Sequence, residues 1–240
     1  MKKIAFFVEG QTEQLFINKL LIEIAGQKNI AIELKTFGGK DNPPSSKLYP
    51  KTLSKPQNTT KHFALIYDCR GGESVKARTL EEHEGLIRVG YREIIGIIDL
   101  FPLTDLLKLE HRLTSGLIMN GKIIQRALPQ NCHIIVVVNE IEVFFLAECT
   151  HFERIDERLT HDLIATKMNL NPCSDDMTLL DQPSVTLKNI YRLANKTYKK
   201  DKKIVEKTVE CLDYANIYIN QKSRIVKLDE LITKIDTFLT

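Results

Sequence analysis

The length, composition and charge of this chain exclude several classes of protein before any motif is considered. Its 240 residues, 43% of them hydrophobic, are enough to build a globular domain with a sizeable core. The net charge of +3 does not by itself indicate a nucleic-acid-binding protein, so any basic surface must come from local clustering of the 34 lysines and arginines. No apolar stretch approaches the roughly 18 residues of a membrane span, so we expect no membrane association.

The N-terminal segment contains the most informative motif. Residues 4–8 are all apolar, as in a core strand of a parallel sheet, and Glu9 and Gly10 follow directly. Residues 11–24 then place apolar side chains at helical spacing. Because ligands of open α/β sheets bind at the carboxyl ends of the strands, Glu9 is a candidate site residue. The alternative for an isolated acid is a solvated strand end.

The succession of strand, acid and helix recurs further along the chain. Strands that alternate with helices predict an α/β fold with a Rossmann-like, mostly parallel sheet flanked by helices. The carboxyl ends of parallel strands then lie at one edge of the sheet, where the acids could converge. The recurring apolar runs are residues 63–67 before Asp68, residues 94–98 before Asp99, and residues 134–138 before Glu140 and Glu142.

Other sequence patterns predict a further strand, a loop and the first residues of two helices. Residues 30–37 alternate as a further strand, and the polar stretch 38–61 predicts a mobile loop. We expect Ser74 to cap the helix that follows the second apolar run. The helix after the third run is expected to have its cap at Thr104 or Asp105.

The cysteines and histidines predict neither a disulfide framework nor a zinc site. The five cysteines are far apart and form no C-x-x-C pair, which indicates reduced thiols in a cytoplasmic protein. The six histidines form no H-x-x-x-H pair, so we expect a routine surface role for each. These residues are Cys69, Cys132, Cys149, Cys173 and Cys211, and His62, His83, His111, His133, His151 and His161.

The chain changes character after residue 150, where strong strand patterns end. We expect residues 1–150 to form the main domain and residues 151–240 to form a helical, lysine-rich extension packed on it. The last apolar positions predict an amphipathic helix that closes the core or, alternatively, docks a partner. These positions are Ile225, Leu228, Leu231, Ile232 and Ile235.

A lysine cluster in the extension has two interpretations. Flexible ammonium groups could follow the phosphate backbone of a nucleic acid. Alternatively, the cluster is a solvated helix face, since Asp201, Glu206 and Glu210 offer partners at helical spacing. The lysines that the first interpretation assigns to substrate binding are Lys199, Lys200, Lys202 and Lys203.

The strand-end acids predict a site for a hard divalent cation. Several carboxylates in one crevice repel one another unless a cation lies among them, and oxygen ligands favour Mg²⁺ or Mn²⁺. Residues 140 and 142 would alternate on a strand, so only one could face the crevice unless a helix has begun, and Glu140 is preferred. Arg70 and Lys76 are candidates to bind phosphate, with ordinary surface charge as the alternative. The candidate metal ligands are Glu9, Asp68, Asp99, Glu140 and Glu142.

The first of these motifs, Val8-Glu9-Gly10-Gln11-Thr12-Glu13, resembles the TOPRIM superfamily, the catalytic domain shared by topoisomerases, bacterial primases and old-phage-exclusion (OLD) nucleases. More closely, the chain is similar to a family of small bacterial TOPRIM-related proteins. These pair the motif with a second strand end, here Ile97-Ile98-Asp99, and a later element, here Asn139-Glu140-Ile141-Glu142. Two positions depart from the pattern: the usual Asp-x-Asp pair is Asp99-Leu100-Phe101, and a histidine is replaced by Asn139.

The resemblance implies a TOPRIM-like fold and a metal-dependent nuclease that cleaves a nucleic-acid phosphodiester with water activated by Mg²⁺ or Mn²⁺. It implies that Glu9, Asp99 and Glu140 are catalytic, and that Asp68 or Glu142 replaces the second aspartate as a metal ligand. It also implies an ABC-type, OLD-like ATPase as partner in a two-component bacterial anti-phage defence system.

Several alternatives stay open. The missing second aspartate favours a catalytically weak TOPRIM-like module that binds or regulates such an ATPase. A more remote alternative is a nucleotide-binding regulator that uses the same crevice. The nucleic acid, whether DNA or RNA such as tRNA, and the formation of a homo-oligomer also stay open.

Overall fold

A six-stranded sheet forms the centre of the computed structural model, which describes residues 1–38, 48–53, 56–119 and 122–240. Two further short strands pair as a separate hairpin. The strands are β1 (Lys2–Val8), β2 (Ile30–Phe37), β3 (Leu48–Leu53), β4 (His62–Asp68), β5 (Tyr91–Asp99), β6 (Leu117–Met119), β7 (Lys122–Gln125) and β8 (Cys132–Val137).

Helices connect the strands and make up the C-terminal part of the chain. A 3-10 helix at Met177–Leu179 and a π-helical turn at Ile217–Gln221 interrupt the later α-helices. The α-helices are α1 (Gln11–Ala25), α2 (Gly72–Arg88), α3 (Leu106–Ser115), α4 (Glu142–Ala147), α5 (His151–Ile155), α6 (His161–Met168), α7 (Pro183–Arg192), α8 (Lys202–Cys211), α9 (Tyr214–Asn216) and α10 (Val226–Leu239).

The sheet has the parallel arrangement that the alternating pattern predicts. Its strand order is β3-β2-β4-β1-β5-β8, and the last five are parallel to one another. The strand β3 pairs antiparallel with β2 at the edge of the sheet, within the stretch predicted as a mobile loop. Residues 39–47 and 54–55 of that stretch lie outside the described residues. Hydrogen bonding to an open sheet edge stabilises β3, whose short sequence is interrupted by Pro50 and does not signal a strand.

The register of the central strands sets the position of the strand-end acids. The Cα partners of Val8 are Asp68 on one neighbouring strand and Ile97 on the other. The last residue of β1 therefore lies level with Asp68 and two residues before Asp99. The order of strands places β1 between β4 and β5, so Glu9 emerges between the other two acids.

Alternation along β1 divides the core between the two faces of the sheet. Ile4, Phe6 and Val8 belong to one buried cluster, and Ala5 and Phe7 belong to another. This alternation is the two-residue period of a strand, and helices must cover both faces because both are apolar.

The C-terminal helices share a core with the N-terminal ones. The ring of Phe16 on α1 lies 5.9 Å from that of Phe144, 5.5 Å from that of Phe145 and 6.2 Å from that of Tyr214. Apolar side chains of α10 are buried in the same cluster, so they pack in the core and do not form an exposed docking surface. They are Ile225 before the helix, and Leu228, Leu231, Ile232 and Ile235 within it. Within the described residues, every helix is too short or too polar to cross a membrane.

The helix starts correct one predicted cap and confirm another. Asp105 accepts a hydrogen bond from Lys108 N at 2.9 Å, as predicted. The predicted cap at Ser74 is wrong, because α2 already begins at Gly72 and its N-cap is Gly71. Gly71 has a φ of 138°, which disfavours residues with a side chain and lets the chain enter the helix two residues early.

Candidate functional site

Glu9 and Asp99 lie side by side at the carboxyl ends of β1 and β5. The amide of Asp99 donates a hydrogen bond to Glu9 Oε2 at 3.2 Å. The amide of Gly71 donates to the backbone carbonyl of Glu9 at 2.8 Å, which brings the start of α2 close to this carboxylate. A Cβ at Gly72 would lie 2.7 Å from Glu9 Oε2, so a larger residue there would displace the Glu9 carboxylate.

Asp99 is surrounded by other acids. Its side chain is buried, and Oδ1 accepts a hydrogen bond from the amide of Ile141 at 3.0 Å. Burial raises the pKa of Asp99 well above its ordinary value, and the negative charges of Glu13, Glu142 and Glu9 raise it further. Asp99 therefore lies at the centre of a group of carboxylates, which we call the carboxylate cluster: Glu9, Glu13, Asp99 and Glu142.

Glu13 also belongs to this cluster, although it is not among the predicted metal ligands. It lies on the first turn of α1, four residues after Glu9, and is 3% exposed. Burial raises its pKa to about 7, and the charges of Glu142 and Glu9 contribute in the same direction. Glu9 precedes α1 and Gly10 between them is extended, so helical spacing does not explain the proximity of Glu9 and Glu13, and no sequence signal identified Glu13.

Glu142 takes the position beside Asp99 for which Glu140 was preferred. The strand β8 ends at Val137 and α4 begins at Glu142, so strand alternation no longer governs these side chains. Glu142 is fully buried, and burial raises its pKa. Its Oε1 accepts from Tyr198 Oη at 2.7 Å, whereas Oε2 is buried and accepts no hydrogen bond.

Glu140 instead binds the N-terminus of α7. Its carboxylate accepts from Ser184 N at 2.8 Å and from Ser184 Oγ at 3.0 Å. A carboxylate at this end of a helix satisfies free amides and complements the helix dipole. The preceding Asn139 has a φ of 61°, and its side chain donates to the carbonyls of Thr178 and Leu180. These two residues thus attach the 3-10 segment and α7 to the end of β8.

Lys200 is the cation of this group. Its Nζ lies 3.4 Å from an oxygen of Glu140 and 3.4 Å from Glu142 Oε2. Desolvation lowers its pKa, but the charges of Glu142, Asp99, Glu13 and Glu140 outweigh that effect and raise it. The Lys200 side chain is 45% exposed, so water screens these pairs and the ammonium group could withdraw from them.

The other lysines assigned to substrate binding lie on the surface. Lys199, Lys202 and Lys203 are exposed, and Lys202 pairs with Glu206 at 3.5 Å along α8. That pair has the four-residue spacing of the solvated-face alternative. Of the four lysines assigned to substrate binding, only Lys200, just before α8, lies next to the buried carboxylates.

Asp68 ends the neighbouring strand β4, where its carboxylate contacts β2 and the turn that follows β4. Its Oδ2 accepts from Thr36 Oγ1 of β2 at 3.4 Å, and its Oδ1 accepts from Arg70 N at 3.0 Å. These bonds hold the turn after β4, in which Arg70 has a φ of 58° and an exposed side chain. Asp68 is therefore bonded to β2 and to its own turn, whereas Glu9, with which it was predicted to hold a metal, is bonded to β5.

A cleft of about 480 Å³ opens in front of Glu9 and Asp99. Lys76 of α2 and Arg112 of α3 provide cations along it, and Lys76 Nζ donates to the backbone carbonyl of Arg112 at 3.1 Å. Burial and the nearby guanidinium lower the pKa of Lys76. Apolar side chains complete the cleft, namely Leu100, Phe101, Leu103, Leu109 and Leu113.

The expectation of reduced thiols and surface histidines is wrong in part. A disulfide joins Cys149 and Cys173, and His161 Nε2 lies 3.4 Å from Cys173 Sγ. His151 is fully buried; burial lowers its pKa to about 4, and its Nδ1 contacts Glu148 O at 2.6 Å. His62 is also buried. These positions depend on tertiary packing between residues distant in sequence, so no short spacing motif marks them.

Comparisons with known proteins add little to this geometry. No protein-family model matches the chain, and no curated protein sequence matches it. Among solved structures, the chain is similar to the crystal structure of a hypothetical protein from Pyrococcus horikoshii OT3, with 16% sequence identity and a TM-score of 0.45 over 100% of both chains. A similarity of this size carries no argument about function, so the site is interpreted from its own residues.

Proposed function

We propose that this protein is a metal-dependent nuclease of TOPRIM type that cleaves a nucleic-acid phosphodiester. The observation that carries the proposal is the pairing of Glu9 with Asp99 beside two further acids, Glu13 and Glu142. Burial and mutual repulsion disfavour several negative charges in so small a volume, and a divalent cation would relieve that cost. All the donors are carboxylate oxygens, the ligands preferred by Mg²⁺ and Mn²⁺.

These acids offer the ligand type that such an ion takes, and their side chains must turn to hold it, because no three of their ligand oxygens lie within 4.8 Å of one another in the described residues. Glu142 Oε2 is buried without a hydrogen bond, and the only cation at ion-pair distance from it in the described structure, Lys200, is partly exposed and could be displaced. Glu9, Asp99 and Glu142 would hold the metal. When bound, the metal would supply an activated water and neutralise phosphate oxygens. Asp68 is not part of this set, because its carboxylate already accepts bonds from a strand and a turn on the far side of β1.

The walls of the cleft supply the contacts that a nucleotide needs. Arg112 exposes a guanidinium that can bind a phosphate in bidentate fashion. Lys76 supports it by binding the carbonyl of the same residue, so the two cations are held together near Glu9. Leu103 and Leu109 offer an apolar surface for a sugar or base, and a cleft of about 480 Å³ has the size of small-molecule sites in general.

A second candidate function is a regulatory module of the same fold without strong catalysis. Lys200 lies where it neutralises Glu140 and Glu142 without any metal, and Phe101 stands where TOPRIM proteins have their second aspartate. An ammonium group that fills the place of a cation would favour this alternative. Under either proposal the partner is an ABC-type, OLD-like ATPase, which rests on the family resemblance alone, and the compartment is the cytoplasm, which rests on the spacing of the cysteines.

Purified full-length protein should be incubated with plasmid DNA, single-stranded DNA, messenger RNA and tRNA in Mg²⁺ or Mn²⁺, with and without chelator. The nuclease proposal predicts metal-dependent cleavage of at least one substrate, lost in Glu9→Gln and Asp99→Asn but kept in the matched variant Asp68→Asn. The same panel should be repeated with an ABC-type, OLD-like ATPase added. Absence of cleavage in both sets, together with absence of Mn²⁺ binding, would reject the nuclease and favour the regulatory module.

A further inference from the structure

Three potential metal ligands meet beyond the C-terminal end of α4, the helix whose first residue is Glu142. The Sγ atoms of Cys149 and Cys173 and the Nε2 atom of His161 all lie within 4.8 Å of one another. Among the residues that the structure describes, no other group of three or more cysteine, histidine and acidic side chains has its ligand atoms so close together. Cys149 follows α4, His161 begins α6, and Cys173 lies in the loop after α6.

The distances between these atoms suit a tetrahedral metal. For Zn–S bonds of about 2.3 Å and a Zn–N bond of about 2.0 Å, tetrahedral angles place sulfur and nitrogen about 3.5 Å apart and two sulfurs about 3.8 Å apart. Cys173 Sγ lies 3.4 Å from His161 Nε2, close to the first value. The Cα atoms of Cys149 and Cys173 are 5.3 Å apart. Once the disulfide is reduced, side-chain rotation alone could bring the two sulfurs to the separation of about 3.8 Å that zinc requires.

The backbone near Cys173 is held independently of the disulfide. Arg224 donates from Nη1 to Cys173 O at 2.8 Å and from Nη2 to Asp175 O at 3.1 Å. The amide of Asn171 donates to Asp175 Oδ2 at 2.7 Å, which closes the same turn. Cys173 should therefore stay beside His161 after reduction, and a site held in place before binding costs less entropy when a ligand arrives.

We propose that the reduced thiols of Cys149 and Cys173, together with His161 Nε2, bind Zn²⁺, and that disulfide formation abolishes this site. A dithiol reductant transfers two electrons and two protons to the disulfide and becomes a disulfide itself. Zn²⁺ then displaces the two thiol protons and binds the thiolates and the unprotonated imidazole nitrogen. In the reverse direction, a disulfide oxidant takes two electrons from the thiolates, forms the S–S bond and releases the metal.

This site differs in ligand type from the carboxylate cluster. Thiolate and imidazole ligands select Zn²⁺ over Mg²⁺, whereas carboxylates alone select hard cations. The two sites can therefore be examined separately in one protein, and the zinc proposal does not depend on nuclease activity.

The test is a Co²⁺ titration of the full-length protein in excess Mg²⁺, with Co²⁺ as a spectroscopic probe for Zn²⁺. Protein reduced with a phosphine and freed of reductant under anaerobic conditions should develop a thiolate-to-cobalt charge-transfer absorption that Zn²⁺ abolishes. Oxidised protein should not. Cys173→Ser should lose the absorption and His161→Gln should weaken binding by about tenfold or more. The matched control Cys211→Ser, which removes a partly exposed thiol outside the group, should behave like the wild type.

Two results would overturn the proposal. One is reduced wild-type protein that develops no such absorption; the other is Cys173→Ser that retains it at wild-type strength. Because Cys149 is buried, its replacement could disturb folding, so the partly exposed Cys173 is the position to change. Circular dichroism of each variant confirms that loss of binding is not loss of structure.

Discussion

The carboxylates of Glu9 and Asp68 follow adjacent parallel strands and precede similar glycine turns, yet they lie in different surroundings. Glu9 accepts a bond from Asp99 on β5 and faces the cleft. Asp68 accepts bonds from Thr36 on β2 and from the turn that follows it. The comparison teaches that the neighbouring strand, not the local motif, decides whether a strand-end acid joins a reactive cluster or fastens a turn.

The largest expected effect compares Asp99, the neighbour of Glu9, with Asp68 in catalysis. Asp99→Asn should reduce metal-dependent cleavage on the order of a thousandfold, equivalent to about 4 kcal/mol of transition-state stabilisation, because it removes a charge that holds the ion. Asp68→Asn should change the rate by no more than about threefold. Single-turnover cleavage rates at saturating metal measure both. Equal losses in the two variants would mean that the acids act together after all.

The next effect concerns the pH dependence of stability in the metal-free protein. The pKa of Glu13 is raised from 4.5 to about 7 in the folded state, so the folded protein binds this proton more tightly than the unfolded chain. Its contribution to stability is present below about pH 4.5 and is lost as pH rises through 7, by up to about 3 kcal/mol. Glu13→Gln should flatten this dependence. The test is the free energy of unfolding by denaturant, measured from about pH 5 to about pH 8, which runs from just above the ordinary pKa to above the raised one.

The comparison between wild type and variant isolates Glu13 from other titrating groups. The lowered pKa of His151 has the opposite sign and destabilises the fold as pH falls from 6.5 through about 4, but it is present in both proteins. Divalent metal should reverse the wild-type trend, since it favours ionised carboxylates. An unchanged slope in Glu13→Gln would show that this residue does not titrate as described.

A smaller effect distinguishes Lys200 from its neighbours. Lys200→Gln should tighten Mn²⁺ binding by about tenfold, because it removes a cation that competes for Glu142. Lys199→Gln is the matched control, since that side chain is exposed and makes no pair with the cluster in the described structure. Isothermal titration of both variants checks the prediction. Weaker Mn²⁺ binding in Lys200→Gln would mean that the lysine supports the site and does not compete with the metal.

The smallest effect concerns the contribution of Asp68, at the end of β4, to folding stability. Asp68→Ala removes the acceptor for Thr36 Oγ1 and Arg70 N, so unfolding should become easier by about 1 kcal/mol. Chemical denaturation gives this difference directly. A wild-type midpoint would indicate that water replaces the carboxylate at no cost.

The sequence predicted the parts of this molecule that depend on local pattern. The apolar runs before Glu9, Asp68 and Asp99 identify β1, β4 and β5, because a buried parallel strand needs continuous apolar residues. The exchange of Glu140 for Glu142 could not be foreseen, since it depends on β8 ending at Val137.

The remaining features depend on contacts between distant segments. The strand β3, which contains Pro50, depends on the open edge of β2. The group of Cys149, His161 and Cys173 is assembled by the packing of α4, α6 and a loop. The sequence does not distinguish Lys200 from the other lysines of its basic stretch. Its position beside the carboxylates depends on the packing of α8 against α1. Such positions follow from tertiary structure, which a single sequence does not reveal by spacing alone.

The central claim is that Glu9 and Asp99 form a divalent metal site from which Asp68 is excluded. Mn²⁺ binding to the metal-free protein, followed by electron paramagnetic resonance, tests it without requiring a known substrate. We predict saturable binding in the wild type and in Asp68→Asn, and loss of binding in Asp99→Asn and Glu9→Gln. Equal Mn²⁺ affinity in the wild type and Asp99→Asn, or loss of binding in Asp68→Asn alone, would contradict the account.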